Sequence, residues 1–71
     1  VLHQPVQSTN VLSVGYDDRS STLQIAFHSG SLYEYTRVPA EVHTALLAAA
    51  SKGGFVARHI KGRYPTRKLA G

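Results

Sequence analysis

The chain has 71 residues, a formal net charge of +4 at pH 7, and neither cysteine nor methionine. That length makes a single domain whose core supplies only about 3 to 5 kcal/mol of net stability, and the missing cysteine excludes disulfides and thiolate metal sites, so reinforcement by a partner is expected. No apolar run approaches the roughly 20 residues of a membrane span and no signal-peptide pattern is visible, which predicts a soluble, cytoplasmic protein with no membrane contact. Without methionine, the sequence as numbered starts after any initiator residue and leaves open that it is a piece of a longer chain.

Residues 1–9 lack periodicity and read as a flexible N-terminal arm. Asn10 to Tyr16 reads as a strand with Leu12, Val14 and Tyr16 on one face, ending in the polar turn Asp17-Asp18-Arg19-Ser20-Ser21. Thr22 to Phe27 alternates, placing Leu23, Ile25 and Phe27 together. The return follows from the loop. A two-residue Ser29-Gly30 turn would need positive φ at both central positions or glycine first, whereas a three-residue His28-Ser29-Gly30 loop uses Gly30 as its left-handed bulge residue. The second option sets Ile25 opposite Tyr33 and Leu23 opposite Tyr35, gathering the apolar residues on one side, and a slip of one residue would reverse every side chain. Tyr33 and Tyr35 are therefore expected in the core rather than on an exposed stacking platform.

Val38-Pro39 opens a helix predicted from about Pro39 to Ser51: Pro39 suits the first helical position, Glu41 the first turn, and Val42, Ala45, Leu46 and Ala49 recur at helical spacing. Lys52 and Gly53 are expected to close it. Beyond Gly53-Gly54, a short second helix carries the apolar stripe Phe55, Val56, His59 and Ile60, turns Arg58 and Lys61 to solvent, and stops at Gly62. Tyr64-Pro65 must be extended. Residues 66–71 read as a basic, flexible tail. The predicted fold is α+β: a three-stranded antiparallel meander followed by an amphipathic helix and a short second helix, within a domain spanning 10–65.

The order Gly15-Tyr16-Asp17, Leu23/Ile25/Phe27, Ser29-Gly30, Tyr33-Glu34-Tyr35, Val38-Pro39, Ser51-Lys52-Gly53 and Ile60 to Tyr64-Pro65 resembles the KTSC domain. That short bacterial module occurs at the C-terminus of some lysyl-tRNA synthetases and also alone, and its Tyr-x-Tyr is here Tyr33-Glu34-Tyr35. The match runs over roughly residues 8–65. The resemblance implies structural roles for Gly15, Tyr16, Gly30, Tyr33, Tyr35 and Pro39, brings no catalytic residues, and through the synthetase context suggests RNA binding.

Charge supplies the functional signal internal to the chain. Residues 1–51 sum to −2, while 52–71 carry Lys52, Arg58, Lys61, Arg63, Arg67 and Lys68 with no acid, a net of +6. Cations displace condensed counterions from a phosphate backbone and an exposed ring stacks on an unpaired base, so Arg58, Lys61, Arg63, Tyr64, Arg67 and Lys68 are the candidate nucleic-acid-binding residues, with Tyr64 the stacking candidate. The bland alternative is a solvated surface kept soluble by charge. His3, His28, His43 and His59 are scattered and form no metal-binding pair, the serines have no evident base and orienter, and Gly53-Gly54 is too short for a phosphate loop. No metal, cofactor, catalytic residue or small-molecule substrate is expected. Two readings follow: a non-enzymatic RNA-binding module, or a homodimeric interaction domain. The second rests on proline-free outer strands at Val11 to Tyr16 and Leu32 to Thr36, or on exchange of the second helix about Gly53-Gly54.

Overall fold

The computed structural model describes residues 2–71. Five antiparallel strands follow one another across a single sheet: β1 (His3–Pro5), β2 (Val11–Asp17), β3 (Thr22–Phe27), β4 (Leu32–Tyr35) and β5 (Thr66–Ala70). Between β4 and β5 the chain forms α1 (Ala40–Ala48) and α2 (Lys52–Phe55), the latter continuing through a π-helical turn at Val56–Ile60.

The α+β class and the hairpin register are as expected. Ile25 pairs with Tyr33 and Leu23 with Tyr35. The β3–β4 loop closes with the Phe27 N–H donating to the Ser31 carbonyl (2.9 Å) and the Gly30 N–H to the Phe27 carbonyl (3.0 Å), with Gly30 at φ +97°. A side chain there would be strained, which is why glycine fixes this loop.

The strand count differs: five, not three. The two further strands lie within the segments expected to be a flexible arm and tail. β1 is three residues long, and all five residues of β5 are exposed, so neither carries the alternation that marks a half-buried strand. They are defined by backbone pairing, β1 to β2 and β5 to β4. The strands expected at the edges, β2 and β4, are thereby interior. The actual edges are β1, which ends in Pro5, and β5, which carries Arg67 and Lys68, both features that discourage further strand addition.

Three local corrections have clear causes. A bulge between Val11 and Ser13 inserts an extra residue, so Val11 joins Val14 in the core while Leu12, expected inward, is 47% exposed. Pro39 is not the first helical residue but the N-cap, at ψ 150°, and α1 ends at Ala48 rather than near Ser51. Ser51 starts a new helix instead, its hydroxyl accepting from the Gly54 N–H at 3.1 Å. Gly53-Gly54 thus sits inside the first turn of α2 and is no hinge between helices. Lys52 still serves α1 from outside, its Nζ donating to the Ala49 carbonyl at 2.7 Å.

Both helical segments pack on one sheet face. Val11, Val14, Leu23, Ile25 and Tyr35 from the strands meet Val38, Leu46, Val56 and Ile60. Leu46 is the buried side chain of α1, with Val42 half-buried and Ala45 exposed. In the second helix Val56 and Ile60 point inward, whereas His59, expected on the apolar stripe, is exposed and lies with its ring 4.8 Å from that of Phe55. Gly62 at φ +78° stops the segment as expected.

The opposite sheet face carries a polar row, His3, Gly15, Gln24, Glu34 and Arg67, set side by side by the register. With no side chain at Gly15, the His3 ring reaches across β2. Its Nε2 donates to Gln24 Oε1 and the Ser13 hydroxyl donates to its Nδ1, each at 2.9 Å.

Candidate nucleic-acid interface

Of the residues to which the family resemblance assigns structural roles, Tyr16 and Pro39 lie at the helix entry. Tyr16 donates its hydroxyl to the Val38 carbonyl at 2.6 Å, anchoring the residue before Pro39. The Val38 N–H in turn donates to the Ser21 carbonyl at 2.8 Å, joining the β2–β3 turn to the start of α1. His43 lies stacked on Tyr16, the ring centroids 4.9 Å apart and the planes 11° from parallel. Tyr35 is 4% exposed, and burial, followed by the neighbouring Tyr33 phenol, pushes its pKa up.

Burial lowers the His43 pKa below the ordinary histidine value. Below about pH 6.5 the unfolded chain therefore takes up a proton before the folded one does, and stability falls with pH until the folded-state value is passed. Thermal melts should show full stability above that range and a decline below it. His43→Gln should remove this component of the pH dependence; an unchanged profile in the variant would assign the decline to other groups.

The six candidate binding residues do not form one patch. Arg58 lines a shallow depression with Ser51, Phe55 and His59. Arg63 lines another with Glu41, Phe55 and Tyr64, and its Nε donates to the Arg58 carbonyl at 3.1 Å. Tyr64 is half-buried against the core cluster and lines the same depression as Arg63. Arg67 is on the polar sheet face, 3.2 Å from Glu34. Although 73% exposed, so that the pair adds little stability, it has its charge locally offset.

Lys61 and Lys68 lie elsewhere, the first lining a cavity and the second near one of its rings. A cavity of about 470 Å³ opens beside the second helix, floored by Phe27, Tyr33 and Tyr35, with Lys61 at its rim. Lys68, brought opposite Tyr33 by the β4–β5 pairing, holds its Nζ 6.0 Å from the Tyr33 ring centroid. Phe27 and Tyr33 meet edge to face, 5.8 Å apart at 81°. Gly53 of α2 and Ala57 of the π-helical turn both line this space, Gly53 close against Asn10 and Ala57 with only a methyl group to fill it. Tyr33, expected as a core residue, is thus half-buried with part of its ring facing a cation-bordered cavity. Sequence reading placed Phe27 and Tyr33 on the correct face and missed the void; the small residues at 53 and 57 were its only trace.

Among the described residues no group of three or more His, Asp or Glu side chains is placed to hold a metal ion, and no helix is long and apolar enough to cross a membrane.

The KTSC domain model matches residues 7–64 of the chain. The chain belongs to the KTSC domain family. In agreement, the crystal structure of a KTSC domain protein from Yersinia pestis superimposes with a TM-score of 0.90 at 40% sequence identity, covering 96% of each chain. A protein of Tsukamurella paurometabola is 43% identical over 61 residues, 86% of this chain and 91% of that one. A lysine–tRNA ligase of Nostoc punctiforme is 42% identical over 55 residues, 78% of this chain but 10% of the ligase. The KTSC domain therefore occurs both as nearly the whole of a small protein and as a minor part of a large synthetase.

Proposed function

We propose that this KTSC domain is a small, non-enzymatic module that binds single-stranded RNA. The observation that carries the reading is the cavity lined by Tyr33 and Lys61, with the Lys68 Nζ 6.0 Å from the centroid of the same tyrosine ring. Ammonium groups displace counterions from phosphates without regard to sequence, and an aromatic ring stacks on an unpaired base; single-strand binding uses the two together. The likeness to a segment of a lysine–tRNA ligase supports it, since a domain attached to an enzyme that handles tRNA works beside RNA. Residues 52–71 carry a net charge of +6 and no acid, a balance that favours a polyanionic partner. Fluorescence anisotropy with labelled single-stranded RNA at low salt tests the reading. Binding is expected, and its absence with both random single strands and mixed tRNA would end it.

Homodimerisation is the second reading, and it would use the outer edge of β5, which is free of proline although Arg67 and Lys68 discourage strand addition there. Two β5 strands running antiparallel would bring Arg67 and Lys68 of one copy toward those of the other, a repulsion that salt weakens. Light scattering at increasing salt distinguishes the cases: a dimer formed this way strengthens with salt, whereas RNA binding weakens.

A further inference from the structure

The cavity over Tyr33 has the size of a ligand site, since such sites run from about 300 to 1,000 Å³. Its lining is chemically mixed in an ordered way. Phe27 and Tyr33 form an aromatic floor, Lys61 lines it, no acidic residue does, and Lys68 stands outside the lining with its Nζ 6.0 Å from the Tyr33 ring centroid. Asn10 stands at the opposite rim against α2, so close that a Cβ on Gly53 would lie 2.9 Å from its Nδ2. Asn10 is exposed, so its side-chain amide is open to solvent, while its backbone N–H and carbonyl are both engaged. A carboxamide offers a donor and an acceptor side by side, the pattern that pairs with the edge of a nucleobase.

A purely apolar ligand would use the rings and make no contact with the Lys61 ammonium or the Asn10 amide. A simple inorganic anion would use the ammonium groups and leave the aromatic floor empty. A nucleotide uses all three. We propose that this cavity takes one unpaired nucleotide, its base against Tyr33 with an edge toward Asn10, and its phosphate beside Lys61 and Lys68. This deepens the RNA-binding reading and rests on it for the source of the nucleotide, a single strand from which one base is turned into the cavity. The loose placement of Lys68, 6.0 Å from the ring centroid, is at the outer limit of a cation–π contact and leaves the ammonium free to exchange the ring for a phosphate.

The test combines two probes. AMP is titrated into the labelled protein while amide chemical shifts are followed, and affinity is measured for a short single-stranded RNA and for the same strand with abasic positions. AMP should move the Tyr33 and Ala57 signals, and abasic substitution should weaken the strand roughly 5- to 100-fold. Ala57→Trp, at an exposed helical position on the cavity wall, should abolish the AMP shifts and weaken the intact strand by a similar factor without changing the thermal midpoint. Tyr33→Leu keeps apolar bulk against Phe27 and should do the same, so neither variant alone decides the matter. If AMP moves no cavity signal and abasic RNA binds as well as intact RNA, the cavity proposal is overturned while RNA binding through the cations stands. If AMP occupies the cavity but no RNA binds, the nucleotide site stands with a free nucleotide as its ligand and the RNA reading falls. Failure of both probes overturns both.

Discussion

Tyr35→Ala is expected to unfold most of the domain at room temperature. Tyr35 is 4% exposed, pairs with Leu23 across the sheet, and joins the cluster that Val56 and Ile60 close from the second helix. Truncating a large aromatic in such a core costs about 3 to 5 kcal/mol, from lost transfer energy and from a cavity that only partly collapses. A domain of this size has about that much net stability in total. Urea denaturation and circular dichroism would show the loss directly. Tyr35→Phe is the informative control: it keeps the ring in place and removes a hydroxyl for which the described residues offer no hydrogen-bond partner, so the midpoint should move little. An alanine variant as stable as the parent would move Tyr35 out of the core.

Leu46→Ala should be nearly as damaging, but in a different part of the molecule. Leu46 is the buried side chain of α1, fully inaccessible, and α1 has no side-chain N-cap. The helix spans nine residues, too few to persist alone in water. A buried leucine truncated to alanine loses about 2 to 5 kcal/mol. Because the sheet retains its own ladder, the loss should appear first as local opening: amide exchange across Val42 to Ala48 accelerates ahead of exchange in β2, β3 and β4. Equal protection of α1 and the sheet in the variant would mean that contacts other than Leu46 dock the helix.

The legible parts of the fold were those where burial writes a period into the sequence. Leu23, Ile25 and Phe27 alternate because one face of β3 is covered, and the glycine requirement at position 30 then fixed the register to Tyr33 and Tyr35. β1 and β5 bury no side chain and leave no such record; Thr66-Arg67-Lys68-Leu69-Ala70 reads as a tail and is ordered by main-chain bonds that any sequence makes. The bulge at Leu12 was hidden for the opposite reason, since Val11, Leu12 and Val14 are all apolar and either phase satisfies the pattern. Helix ends were the least readable. Ser51 as an N-cap and Gly53-Gly54 as a terminator compete for the same few residues, and the hydroxyl bond to the Gly54 N–H decides it.

The candidate interface was legible as composition and not as place. The excess of Lys and Arg beyond residue 51 is visible in the chain, but strand β5 sends its neighbours Arg67 and Lys68 to opposite faces of the sheet, one to Glu34 and one to Tyr33. Tyr64, chosen for its freedom beside Pro65, and Tyr33, assigned to the core, are alike half-buried against the core cluster, and each lines a depression.

RNA binding centred on Lys61 and Lys68 is tested most directly by the salt dependence of affinity for a single-stranded RNA, measured on the parent and on the Lys61→Gln/Lys68→Gln variant. The parent should give a straight log–log plot with a slope near −0.7 for each phosphate neutralised, and the double variant should flatten that slope by about 1.4 while its thermal midpoint is preserved. A slope identical in parent and variant would show that these two lysines contact no phosphate and would contradict the account.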